Sequence, residues 1–218
     1  YDEQVLLIKT AWGGKSLGAD FLPPSSGWSL DNPVVAGDDG YYYQQMMSYV
    51  VDVMMNLQTY FPSYSGQGIE VAGFGWHQGW NDRVTTEYAT EYEQNMENFI
   101  KDVRASVGVP ALPFVLATTG MDGTATYTSV EQAQLKMKDY TAYPEFSGNT
   151  AVADTRALNA WRSVADSPAD QGYHWNRNAE SYVLVGKYMG EAMENLLTNS
   201  TPVVTLPVVS FTTPSGNV

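Results

Sequence analysis

Three short segments hold most of the side chains suited to chemistry: Ala11-Trp12-Gly13-Gly14-Lys15-Ser16, Trp76-His77-Gln78-Gly79-Trp80-Asn81-Asp82 and Gln171-Gly172-Tyr173-His174-Trp175-Asn176-Arg177-Asn178. The chain has no cysteine and two histidines, His77 and His174. Thiolate nucleophiles, disulfide scaffolds and cysteine metal sites are therefore excluded by inventory. His174 sits in a Gly-x-His-x-Asn turn just before a helical stretch, and an imidazole that titrates near neutrality can both take and return a proton. Gly14, with Gly13 behind it, can bring a backbone N–H close to a developing negative charge because no Cβ stands in the way. His77, beside Trp76 and Gln78 and without clustered carboxylates, reads as a hydrogen-bonding or substrate-contact residue rather than a ligand. No metal and no cofactor are expected. Ser16 reads as the cap of a helix or turn.

Aromatic residues crowd the same segments: Trp12, Trp28, Trp76, Trp80, Tyr173 and Trp175. Sugar rings present apolar C–H faces to flat side chains and hydroxyls to a polar rim, so a glycan suits such a site. Trp12, His77, Trp80 and Trp175 are the candidate substrate contacts. Packing in the core competes with that role for each aromatic.

These segments need elements to position them. Val5-Leu6-Leu7-Ile8 is an apolar run ending at a small-residue turn, which predicts a buried parallel strand. Residues 21–40 are rich in Pro, Gly, Ser, Asn and Asp and predict a long surface loop. Residues 41–60 carry apolar side chains at helical spacing, and 69–76 predict a second strand running into a glycine turn. Residues 85–104 predict a helix, 113–117 a strand, 131–140 a helix, 150–153 a short strand ending at Asp154, and 179–197 a last helix. Strands alternating with helices predict a parallel sheet covered on both faces, with ligands bound beyond the carboxyl ends of its strands. The tail from Thr201 to Val218 is uncharged, β-branched and broken by proline, and predicts a linker entering a β-rich module.

Composition sets the wider bounds. At 218 residues, 44% apolar and 16% charged, the chain is the size of a single globular domain. Its 24 acidic against 11 basic residues give a formal charge of −13, which repels nucleic-acid phosphate and anionic lipid. Neither nucleic-acid binding nor membrane insertion is expected, and no apolar run approaches the roughly 18 residues of a membrane span. The chain opens at Tyr1 without methionine or an apolar leader, so a segment upstream is expected.

In their order and spacing the three segments resemble the sialate O-acetylesterase family of carbohydrate esterases, in the SGNH-hydrolase superfamily, over roughly Val5 to Leu197. The resemblance implies a three-layer α/β/α fold of the SGNH-hydrolase, flavodoxin-like type, with its first strand missing. It divides the chain into an N-terminally incomplete domain over residues 1–198 and a linker over 199–218. It also implies hydrolysis of acetyl esters on sialic acid or polysaccharide through a serine acyl-enzyme. The family's serine lies in a Gly-Gln-Ser-Asn-Met-like turn that this sequence lacks, so a second chain or segment would supply it. Gly14 and Asn81, the latter in Gly79-Trp80-Asn81-Asp82, would form the oxyanion site, with Gln78 competing for Asn81's role. His174 would be the base. The aspartate usually found three residues before it is Gln171 here, leaving Asp170 or Asp154 to support the imidazole.

Two readings stand at this point. One is a secreted or extracellular acetylesterase acting on an acetylated carbohydrate. The other is a catalytically silent glycan-binding or structural subunit of an extracellular assembly, joined through strand pairing of residues 201–218.

Overall fold

A computed structural model describes residues 4–29, 34–120, 123 and 126–199. Its centre is a parallel sheet of three strands in the order β1 (Phe74–His77), β2 (Phe114–Ala117) and β3 (Thr150–Ala153). Period-two alternation sends side chains to opposite faces. Phe74, Trp76, Phe114 and Leu116 join the larger core, whereas Ala117 and Ala153 join a smaller one.

Helices cover both faces, giving the three-layer α/β/α fold. On the larger side lie α1 (Tyr41–Met55) and α4 (Thr86–Val107), with α5 (Ser129–Lys136) packed on α4. The stripe Tyr92, Met96, Phe99, Ile100, Val103 and Val107 of α4 recurs at helical spacing and is closed to solvent. Phe99 lies at its centre, with ring centroids 4.4 Å from Trp76 and 5.6 Å from Tyr43. The other face is covered by α6 (Ala179–Asn199), whose Val185 packs with Ala117, Ala153 and Trp175. Gly73 and Gly75 leave room there for Met193 and Met189.

Arg104 fixes the entry to the sheet. Its buried guanidinium donates to the carbonyls of Leu112 and Asn149 and to Thr150 Oγ1, at 2.9 to 3.1 Å. One side chain of α4 thus sets the starts of β2 and β3.

The structure corrects the sequence at several elements. Residues 5–8 are not a strand: Val5 is 74% and Leu7 87% exposed, and no backbone hydrogen bond ties residues 4–12 to another segment among those described. An apolar run becomes a strand only where another strand meets its N–H and C=O rows. Here β1 pairs with β2 alone among the described residues. The second strand begins at Phe74 rather than residue 69, with its first rung a hydrogen bond from Phe74 N–H to the Pro113 carbonyl. The helix expected over 41–60 breaks at Asn56 into α1 and the short α2 (Leu57–Tyr60). A four-residue helix, α3 (Trp80–Arg83), forms where a turn was expected. α5 starts at Ser129 because Thr128 and Glu131 close a capping box, and it ends at Lys136. α6 runs to Asn199, and the proposed linker beyond it lies outside the described residues.

Phe99→Ala should lower the free energy of unfolding by about 3 to 5 kcal/mol, as for other buried large-to-small changes. Chemical denaturation followed by tryptophan fluorescence would measure it.

Candidate active site

The carboxyl end of β1 turns sharply into α3 at Gly79, whose φ of +139° is reserved for glycine. A Cβ there would stand 2.4 Å from Thr119 Cγ2 and 3.0 Å from Gln134 Nε2. The turn can therefore press against the loop that leaves β2, and it projects Trp80 and Asn81 from the first turn of α3.

Asn81 meets Gly14. Its Nδ2 donates a short hydrogen bond to the Gly14 carbonyl, and Gly14 adopts φ +69°. An amide NH2 has two N–H groups, so one remains for a ligand. The backbone N–H of Gly14 has no partner among the described residues and is exposed. Two of the three candidate oxyanion donors are thus side by side. The third is committed elsewhere: Gln78 Nε2 donates to the Lys15 carbonyl at 2.9 Å and to Asp82 Oδ2 at 2.5 Å, while its Oε1 accepts from Tyr92 Oη.

Asp82 joins these parts. It is fully buried, and its carboxylate accepts from the backbone N–H of Leu17 at 2.9 and 3.0 Å and of Gly18 at 2.8 Å, besides Gln78. Burial pushes its carboxyl above the usual range, and these N–H donors pull against that rise. Ser16 is buried below the glycines and shares a carboxylate with Lys15: its Oγ donates to Asp20 Oδ2 at 3.1 Å, closing the turn.

His174 lies in a 3-10 segment, Gly172–Arg177, whose last residues are strained. Trp175, Asn176 and Arg177 have φ of +50°, +52° and +56°, which is unusual for three successive residues bearing side chains. Asn176 and Asn178 hold this shape. Asn176 Nδ2 donates to the Arg162 carbonyl and its Oδ1 accepts from Gln171 N–H. Asn178 Nδ2 donates to the Asp166 carbonyl, while its Oδ1 accepts from the N–H groups of Glu180 and Ser181 and so caps α6. The left-handed turn drives Trp175 inward, to 1% exposure, against His77 and Trp161. His174 stays on the surface. Among the described residues no hydrogen bond or ion pair reaches its imidazole.

Among the described residues neither carboxylate named with it is hydrogen-bonded or ion-paired to it. Asp170 is exposed, and Asp154, just after β3, accepts from Tyr127 Oη at 2.9 Å and from the N–H groups of Arg156 and Ala157. Gln171 Oε1 accepts from Arg177 Nε at 2.5 Å. The two halves of the site still touch: the Trp80 ring, next to Asn81, lies 5.8 Å from that of Tyr173, next to His174. Trp12 stands to one side, against Phe21, Tyr42 and Tyr49.

The family model described as "Carbohydrate esterase, sialic acid-specific acetylesterase" matches residues 1–195. The chain belongs to this family. No curated protein matches it. A solved structure of a protein from Arabidopsis thaliana is similar at 17% identity, over 76% of this chain and 55% of that one, with a TM-score of 0.43. The chain therefore spans little more than half of that protein's length. Within this acetylesterase-family chain no group of His, Asp and Glu among the described residues could hold a metal ion, and no described helix is long and apolar enough to cross a membrane.

Sequence reasoning missed the residues that hold this family site together. Glu131 is fully buried; it accepts from Gly120 N–H at 3.0 Å and from Arg156 Nε at 2.6 Å, and so fixes the loop after β2. Gln134 supports the same region, accepting from Thr119 N–H and donating to the Gln78 carbonyl. The Thr-x-x-Glu spacing at 128–131 was the available signal. Nothing in the sequence distinguished Asp82 from a surface acid beyond its place after Asn81.

Asp82→Ala should destabilise the fold by about 3 kcal/mol or more, because buried N–H groups lose their acceptor; thermal melting would read it. His77 supplies a pH test. Among the described residues neither of its buried ring nitrogens makes a hydrogen bond of ordinary geometry, and burial pushes its pKa below the ordinary 6.5. The unfolded chain then binds the proton more readily, so this contribution to stability is full above about pH 6.5 and is lost on acidification below it. The melting temperature should fall between about pH 7 and about pH 5, and His77→Gln should reduce that fall.

Proposed function

We propose that this domain is the greater part of a serine-dependent carbohydrate O-acetylesterase, which removes acetyl groups from sialic acid or an acetylated polysaccharide outside the cell. The attacking serine comes from a segment outside this sequence. The reading rests on one juxtaposition: Asn81 against Gly14, with Trp80 carrying that pair to the His174 turn through Tyr173.

The serine Oγ attacks the acetyl carbonyl while His174 takes its proton. The carbonyl oxygen becomes an oxyanion facing Gly14 N–H and the second N–H of Asn81. Collapse breaks the ester bond, and the sugar oxygen leaves with the proton from His174. Water then attacks the acyl-enzyme by the same route, releasing acetate and restoring the serine. No described strand pairs with one side of β1, and a strand bearing the serine would fit there. The partner of β1 on the other side is β2.

A second reading is favoured by a specific observation. The side chain that replaces the usual aspartate, Gln171, is occupied by Arg177, and no carboxylate touches His174 among the described residues. An imidazole without an acid to orient it suits a silent, glycan-binding subunit.

In the full-length protein, His174→Ala should lower kcat/KM for an acetylated sugar by about 10²- to 10⁴-fold, measured as acetate release. A wild-type protein that binds sugar but releases no acetate would favour the silent reading instead.

A further inference from the structure

The aromatic residues around the site divide into those that packing closes and those it leaves open. Trp76 and Trp175 are 6% and 1% exposed, and Trp28 donates its Nε1–H to the Leu22 carbonyl while its ring packs on Tyr43. Trp12 is flanked by three rings. Trp80 and Tyr173 differ. Trp80 is half-buried, Tyr173 is 44% exposed, and their rings are inclined at 49° rather than stacked flat.

We propose that Trp80 and Tyr173 form the subsite for the sugar ring that carries the ester, with Tyr173 its specificity-determining residue. This assignment rests on the esterase reading of the same site. Two inclined rings make an angled shelf, which suits the C–H face of a pyranose better than a flat aromatic ligand. The Arg83 guanidinium lies 4.4 Å over the Trp80 ring and holds it in place from α3. The Tyr173 hydroxyl has no protein partner among the described residues and can meet a sugar hydroxyl at the rim.

Position gives the shelf its role. Tyr173 lies 4.6 Å from the His174 ring on one side and contacts Trp80, next to Asn81, on the other. A sugar ring lying there has its esterified oxygen beside the imidazole that must reprotonate it. The acetyl group points toward Asn81 and Gly14. The turn is also pinned from α6, where Tyr182 Oη donates to the His174 carbonyl at 2.9 Å.

The test compares two esters in the full-length protein, a mono-acetylated methyl pyranoside and ethyl acetate, which has no ring to stack. Tyr173→Ala should raise KM for the acetylated glycoside about tenfold and lower its kcat/KM several-fold more than that for ethyl acetate. Tyr173→Phe, which keeps the ring, should recover most of that selectivity. Equal losses on the two esters would overturn the assignment. Binding of the deacetylated methyl pyranoside, followed by tryptophan fluorescence, reads the subsite without turnover. Weaker binding in Tyr173→Ala would support the shelf even if the wild type hydrolysed neither ester, a result that sinks the esterase reading alone. Binding equal to wild type would sink the shelf.

Discussion

The buried carboxylate of Asp82 is the constraint on which the site depends. A charge removed from water must find donors, and Asp82 finds them in the backbone of residues 17 and 18 and in Gln78. Those bonds draw the first glycine turn toward the end of β1. They set the approach of Gly14 to Asn81, and they fix Gln78 as scaffold. Removing the carboxylate would leave two loops and a short helix with little to hold them in register.

The second half of the site is held by amides rather than charges. Asn176 and Asn178 satisfy the backbone on either side of a strained left-handed turn, so that Trp175 enters the core while its neighbour His174 faces out. Such strain persists only where the surroundings over-determine it, and it gathers at sites that must present a particular group. Beyond the carboxyl end of β2, Glu131 and Gln134 of α5 do similar work for the loop that follows it.

The layered fold was legible because α4 buries a continuous stripe and α1 and α6 turn apolar side chains to the sheet at helical spacing, and periodicity reports such patterns. The pairing of Gly14 with Asn81 was legible as far as a motif fixes both residue type and spacing. Other features were hidden for physical reasons. Residues 5–8 have the composition of a strand, but strand formation depends on a partner that composition does not contain. α3 is too short to show a period. Trp175 reads as a surface platform until the backbone sign at 175–177 is known, since that sign turns its ring inward. Gln78 looks like a free donor until Lys15 and Asp82 are seen to occupy both of its N–H groups.

The edge of β1 that no described strand pairs bears on how the polypeptide behaves in solution. An uncovered row of backbone donors and acceptors next to apolar surface is a template for self-association, which proteins commonly blunt with charge or proline. Neither occurs within Phe74–His77. A net charge of −13 opposes such association by diffuse repulsion. Salt weakens repulsion of that kind over distances of about 10 Å at 0.1 M, so colloidal stability here is tied to ionic strength more closely than to the strength of the fold.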